Sequence, residues 1–266
     1  MKHITSRDNP LIKTLRRLSQ DSTAYRKTGQ IWLEGDHLCR AALARDVQPV
    51  QAVFAESFWA SAAHDWSTVT ADVFILADAV FDTLSQLESP ARMGFVMALP
   101  AASVRAHDAI QPKAATVVLD RLQDAGNVGA ILRSASAFGF RQVLALKGTA
   151  GLWSPKVLRA GMGAHFGLQL VEGLEPEDLQ ALQVPLLTTS SHQGPYLHQL
   201  VADQALPHPC AWVLGHEGQG VSEALQALAS QHVRIAQPGG EESLNVAAAA
   251  AICLHASASV TLRDRG

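Results

Sequence analysis

The sequence predicts an α/β protein in two parts. A parallel sheet with helices on both faces fills the second half, and a smaller α/β domain precedes it. Three observations carry this. From Thr116 on, short strand-like runs recur with helical stretches between them, the pattern of a parallel sheet covered on both faces. The first hundred residues alternate strands and helices over shorter spans. Between the two, residues 100–113 hold Ala-Ala-Ser and Gln-Pro, a linker composition. The expected domains are therefore 1–105 and 114–266. A chain of 266 residues, 48% hydrophobic and 17% charged, can fill two cores and is not disordered throughout.

In order, Asn9-Pro10 opens a helix, with Asn as cap and Pro at the first helical position. Leu11, Leu15 and Leu18 fall on one face of it, and Lys13, Arg16 and Arg17 lie off that face. Ile31–Leu33, Val50–Ala55, Val73–Leu76 and Met93–Leu99 read as strands. His37–Arg45 and the stretch around Ala79–Leu84 read as helices. In the second half, strands are expected at Thr116–Leu119, Arg141–Leu146, Leu168–Val171, Leu186–Thr189, Ala211–Leu214 and Val233–Ile235. Helices are expected at Val128–Phe138 and from Ser154-Pro155. A last helix runs from Val246 through an Ala-rich stretch to His255, with Ser243 as its cap.

Composition excludes several classes. The N-terminus has no apolar core of a signal peptide, and no apolar run reaches a membrane span, so a cytoplasmic protein is expected. Cys39, Cys210 and Cys253 are scattered and form no Cys-x-x-Cys, and the eleven histidines show no metal spacing. Residues 1–30 carry seven basic side chains, Arg26 and Lys27 among them, against two acidic ones, on a chain whose net charge is −3. That asymmetry suits a polyanion such as RNA, and equally a solvated helix face.

In an open parallel sheet the ligand site lies beyond the carboxyl ends of the strands. Three loops stand there. The first is Asp124-Ala-Gly-Asn127-Val-Gly-Ala-Ile-Leu-Arg133, with Asn127 as expected cap; it lacks the dinucleotide and P-loop glycine patterns. A lone Arg on a helix of small residues is most often a surface residue. The second is Leu214-Gly215-His216-Glu217-Gly218-Gln219-Gly220, whose glycines let a ligand touch backbone or simply make a tight turn. The third is Pro238-Gly239-Gly240-Glu241-Glu242-Ser243-Leu244-Asn245, which leads into the Ala-rich helix.

Together and in this order, the three loops resemble the motifs of the SpoU/TrmH family of RNA methyltransferases, within the SPOUT class. The resemblance spans about 116–257, and the basic first domain more loosely resembles the ribosomal-protein-like RNA-binding domain often attached in that family. It implies an S-adenosylmethionine-dependent 2′-O-methyltransferase acting on RNA ribose, a deep C-terminal trefoil knot and a homodimer, without metal or membrane. Ribosomal RNA is the expected substrate, with transfer RNA second. The implied catalytic set is Arg133, Asn127, Glu217, Ser243 and Asn245. The implied cofactor set is Thr189, Gly215, His216, Glu217, Gly220, Ile235, Ala236, Ser243 and Leu244. Lys13, Arg16, Arg17, Arg26 and Lys27 are the RNA-binding candidates.

A guanidinium with a pKa above about 12 is a poor general base, so Arg133 is expected to hold a phosphate beside the target hydroxyl. Glu217 is expected to orient Arg133 or face the sulfonium. Two positions depart from the family pattern: His216 stands where Asn is usual, and Ala236-Gln237 where Pro-Met is common. A non-enzymatic RNA-binding protein of the same fold and a nicotinamide-dependent enzyme are the competing readings. Neither accounts for Arg133, Glu217 and Asn245 together.

Overall fold

A computed structural model describes residues 1–85, 88–99, 106–190, 192–239 and 243–263. Chain contacts divide into two units: Met1–Ala101 with Trp153–Phe166, and Ala102–Leu152 with Gly167–Gly266. The expected boundary treats 114–266 as one stretch, whereas Trp153–Phe166 groups with unit 1. Residues 100–105 of the expected linker lie outside the described residues. Its remainder is anchored: Ile110 is buried, and the Gln111 amide donates to Gln142 Oε1 at 2.7 Å.

Unit 1 begins with β1 (Lys2–Ile4), α1 (Pro10–Gln20), α2 (Ala24–Thr28), β2 (Gln30–Glu34) and α3 (Asp36–Leu43). It continues with β3 (Gln51–Ala55), α4 (Glu56–Trp66), β4 (Val73–Leu76), α5 (Asp78–Phe81) and β5 (Met93–Ala98). Asn9 caps α1 by accepting from the Leu11 amide at 2.9 Å, as its sequence predicts. The buried stripe is Ile12, Leu15 and Leu18, and Leu11 is only half-buried. The helix expected around Ala79–Leu84 closes after one turn at α5. The strand order is β1-β4-β3-β5-β2, with β5 antiparallel to both its neighbours and the other pairs parallel. Aromatic rings fill one face, where the Trp66 ring centroid lies 6.2 Å from that of Phe54 and 5.6 Å from that of Phe95. Gly94 is required on the other face, because a Cβ would stand 2.3 Å from the Trp32 ring.

Unit 2 opens with β6 (Thr116–Asp120), α6 (Ala125–Ala137) and β7 (Gln142–Leu146). The chain then contributes α7 (Pro155–Gly161) to unit 1, where Leu158 joins the aromatic core. Unit 2 resumes with β8 (Gln169–Leu174), β9 (Leu186–Thr189), α8 (Leu197–Ala202), β10 (Ala211–Gly215), α9 (Glu223–Leu228), β11 (Gln231–Val233) and α10 (Val246–Arg263). All six strands are parallel, in the order β11-β9-β10-β6-β7-β8. Every residue of β6, β7 and β10 is buried, so both faces of the central strands are covered, as their continuous apolar runs require. β11 ends at Val233, earlier than expected, and Arg234 instead forms an isolated parallel bridge with Tyr196.

α10 packs on α6 and β10. Its Ser257 hydroxyl accepts from the buried Trp212 indole N–H at 2.9 Å. Cys39, Cys210 and Cys253 are buried free thiols, and burial pushes Cys210 up to about 12, so none is a ready nucleophile.

Candidate active site

The carboxyl ends of β6, β10 and β11 deliver the three loops singled out by the sequence. Asp124, not Asn127, caps α6: its Oδ1 accepts the Asn127 amide at 2.7 Å. Asp at the cap position starts the helix a turn earlier than expected and frees the Asn127 side chain. Likewise Asn245, not Ser243, caps α10, its Oδ1 accepting from the Ala247 and Ala248 amides at 2.9 and 3.2 Å. Ser243 and Leu244 precede that cap and are exposed. Gly240, Glu241 and Glu242 lie outside the described residues.

The freed side chains form a continuous chain. Asn245 Nδ2 donates to Asn127 Oδ1 at 3.0 Å, and Asn127 Nδ2 donates to Glu217 Oε1 at 3.3 Å. Glu217 also accepts from the Asp124 and Gln123 amides at 3.1 and 3.3 Å. One acceptor-only carboxylate therefore fixes the amide orientation of Asn127, and through it that of Asn245. Burial alone would raise the Glu217 carboxyl. The amides of Glu217 itself, Asp124 and Gln123 and the Asn127 side chain outweigh it and hold the group below its ordinary value, keeping it ionised. The expected pairing of Glu217 with Arg133 is replaced by this grip on the turn before α6.

Arg133 sits on the solvent side of α6 and has no hydrogen bond or ion pair among the described residues. Its neighbours at helical spacing, Gly126, Ala130 and Ala137, are small, so its guanidinium is unobstructed by its own helix.

The β10 loop is built for close approach. A Cβ on Gly215 would stand 2.1 Å from the Val221 nitrogen, and Gly220 takes the left-handed φ of 69°. His216 folds inside the turn, its Nδ1 accepting from the Gly218 and Gln219 amides at 3.0 and 3.3 Å, which places the ring proton on Nε2. Thr189 ends β9, with Ile235 and Ala236 following β11 nearby in register, since Val233 pairs with Thr189. Gln237 Oε1 is buried there with no hydrogen-bond partner among the described residues. Among the described residues no cluster of three or more His, Cys, Asp or Glu is arranged to hold a metal ion.

Sequence reasoning missed a second brace. Asp120, 1% exposed, accepts from Arg121 Nε at 2.9 Å and from the Ser222 amide at 2.6 Å. Arg121 in turn donates to Gln219 Oε1 at 3.0 Å from a left-handed φ of 60°. This ties the end of β6 to both sides of the β10 loop. An adjacent Asp-Arg pair at a strand end is the only trace of it in the sequence. In unit 1, Lys13, Arg16 and Arg17 line α1, and Arg26 and Lys27 lie on α2; Arg16 donates to Thr83 at 3.0 Å and Arg26 to the Tyr25 hydroxyl at 3.0 Å.

Parallel sheet, three-loop mouth and small-residue α6 together define a SpoU-type methyltransferase domain. The model of the SpoU rRNA Methylase family matches residues 114–255, just over half of the chain, and that of an MRM3-like substrate binding domain matches 9–94. The chain belongs to the SpoU rRNA methylase family. It is similar to an uncharacterized tRNA/rRNA methyltransferase of Synechocystis, 31% identical over 95% of this chain and 92% of that protein. It is also similar to the 23S rRNA (guanosine(2553)-2'-O)-methyltransferase RlmP of Bacillus subtilis, 26% identical over 96% and 98%. Among solved structures, an RNA 2'-O ribose methyltransferase aligns over 98% of this chain and 99% of its own, with a TM-score of 0.78 and 28% identity.

Proposed function

We infer that the protein is an S-adenosylmethionine-dependent methyltransferase that modifies a ribose 2′-hydroxyl of RNA, with ribosomal RNA as its substrate. The observation that carries this is the Glu217–Asn127–Asn245 chain, which joins the three loops at the mouth while Arg133 has no hydrogen bond or ion pair among the described residues. The residues present fit the cofactor: Gly215 and Gly220 admit a close backbone approach, and the unpartnered Gln237 oxygen can accept a hydrogen bond from it. In this reading Gly215, His216, Glu217, Gly220, Thr189, Ile235, Ala236, Ser243 and Leu244 line that pocket. When bound, S-adenosylmethionine supplies a methyl group already activated by its sulfonium.

The chain then has to orient and acidify a hydroxyl. Arg133, permanently charged, holds the RNA phosphate beside the target ribose and favours the developing alkoxide. Asn127 and Asn245, fixed in orientation by Glu217, donate and accept around the ribose. Glu217 keeps a negative charge at the mouth, complementary to a sulfonium. Residues 1–105 serve RNA binding and 114–266 catalysis, with the enzyme cytoplasmic, where its RNA substrate is. The reading includes a homodimer, supported by exposed Ile252 and Leu262 on α10. It also includes a deep trefoil knot. The tight seating of residues 194–197 on 232–234, where Arg234 Nε donates to the Gly194 carbonyl at 2.7 Å, supports this.

Calorimetry with S-adenosylmethionine and with NAD, followed by labelled methyl transfer to fractionated cellular RNA and mapping of the product, tests the proposal. Label in the ribose of ribosomal RNA is expected. Binding of NAD alone would overturn it, and label confined to transfer RNA would move the substrate.

A further inference from the structure

Helix α7 comes from the catalytic half of the sequence, yet its apolar side, through Leu158, belongs to the unit 1 core. It borders the edge strand β2 and touches α1. Helices α1 and α2 border the same strand and touch each other. These three helices contain seven basic residues and no Asp or Glu: Lys13, Arg16 and Arg17 on α1, Arg26 and Lys27 on α2, Lys156 and Arg159 on α7. Helix α3 also borders β2, but its Asp36 is already paired with its Arg40 at 2.8 Å.

Most of these charges have no internal use. Lys13, Arg17, Lys27, Lys156 and Arg159 make no hydrogen bond or ion pair among the described residues, and the side-chain partner of Arg16, Thr83, is neutral. Lys156 and Arg159 are three residues apart, on the α7 face opposite buried Val157 and Leu158. One carboxylate sits among the group, Asp21 at the end of α1. The Thr23 amide and hydroxyl, with the fields of Arg17 and Lys27, hold it below its ordinary value. An open hollow of about 460 Å³ runs along Lys13, Arg16, Arg17, Gln20 and Asp21.

We propose that α7 completes the RNA-binding face of unit 1, with Lys156 and Arg159 contacting RNA phosphates beside those met by α1 and α2. The proposal rests on the reading of the protein as an RNA methyltransferase. A run of like charges on touching helices is electrostatically unfavourable unless a polyanion covers it, and phosphate contacts are the sequence-independent way to do so. The residues of this face come from stretches more than 120 positions apart, so a match confined to residues 9–94 does not contain it.

The test uses the full chain and deproteinised ribosomal RNA, with filter binding over a series of KCl concentrations. K156Q/R159Q is expected to bind about tenfold more weakly, with the slope of log affinity against log salt shallower by about one to two. S-adenosylmethionine affinity, measured by calorimetry, is expected to hold. K156R/R159K, which keeps both charges, is expected to bind as the parent does. Unchanged affinity and slope in K156Q/R159Q would overturn the proposal, as would an equal loss in K156R/R159K. Failure of the parent protein to bind S-adenosylmethionine or RNA would instead sink the underlying functional reading.

Discussion

The two units treat their polar groups in opposite ways. In unit 2 the mouth residues are bonded to one another: Glu217 to Asn127, Asn127 to Asn245, Asp120 to Arg121, Arg121 to Gln219. In unit 1, Lys13, Arg17, Lys27, Lys156 and Arg159 make no hydrogen bond or ion pair among the described residues. Their sheets differ in the same sense. Unit 2 is wholly parallel, with continuous aliphatic strands, while unit 1 is mixed and leans on aromatic rings. The contrast separates two tasks. A reacting hydroxyl has to be held within a few tenths of an ångström, which needs groups already oriented before substrate arrives. A polyanion needs only charge at the right spacing, and its counterion release supplies the driving force whatever the side-chain rotamer. Among the charged motif residues at the mouth Arg133 is the exception: a cation with no hydrogen bond or ion pair among the described residues, beside a paired framework.

The largest test of the contrast is therefore Arg133. Arg133→Ala is expected to lower single-turnover methyl transfer by about 10²–10³-fold, the usual cost of removing one positioned transition-state donor. S-adenosylmethionine affinity should hold, since the residue braces none of the loops. Near-normal transfer would show that the free guanidinium is a surface residue after all. Next in size is the paired interior behind the mouth. Ser257→Ala leaves the buried Trp212 N–H without an acceptor and is expected to cost about 1–3 kcal/mol in denaturant unfolding. Adding Trp212→Phe removes the orphaned donor, so the pair should cost less than the sum of the single changes. Strict additivity would mean that the bond contributes nothing.

The contrast was only partly legible beforehand. The central strands of unit 2, β6, β7 and β10, follow from apolar runs and hold within a residue, because burial on both faces leaves little choice of sequence, whereas edge strand β11 is displaced. The three loops were legible because glycines and motif spacing announce them. The caps were not: Ser243 and Asn127 are good cap residues, but Asp124 and Asn245 compete for the same role, and the backbone decides which prevails. That decision matters, since it turns Asn127 and Asn245 into the linked pair at the mouth. Arg121 was invisible because its use depends on a left-handed φ. Lys156 and Arg159 were passed over because a helix embedded in the catalytic stretch gives no hint that it folds with the other unit.

Asn245 separates the cap from the link. Asn245→Ala removes both and is expected to cost about 1 kcal/mol of stability, the ordinary value of a lost cap. Asn245→Asp keeps an acceptor for the Ala247 and Ala248 amides and adds charge at the helix start, so stability should hold. It cannot donate to Asn127 Oδ1, and methyl transfer should fall nonetheless. Equal stability loss in both variants would place the weight on the link.

The smallest effect tests whether Glu217 is charged because the framework wants it charged. Its carboxyl titrates below the ordinary glutamate value of 4.5, since burial, which raises it, is outweighed by the amides of Glu217, Asp124 and Gln123 and by Asn127. A group whose folded value is depressed stabilises the fold above its unfolded value, and that contribution disappears as pH falls through the folded value. Thermal melts of the parent and of Glu217→Gln should therefore differ by a constant margin above about pH 5, and the gap should close as pH drops below 4.5. The side chain is exposed, so the margin is small. A gap that persists unchanged into acid would mean that the turn before α6 is held by the shape of the Glu217 side chain rather than by its charge.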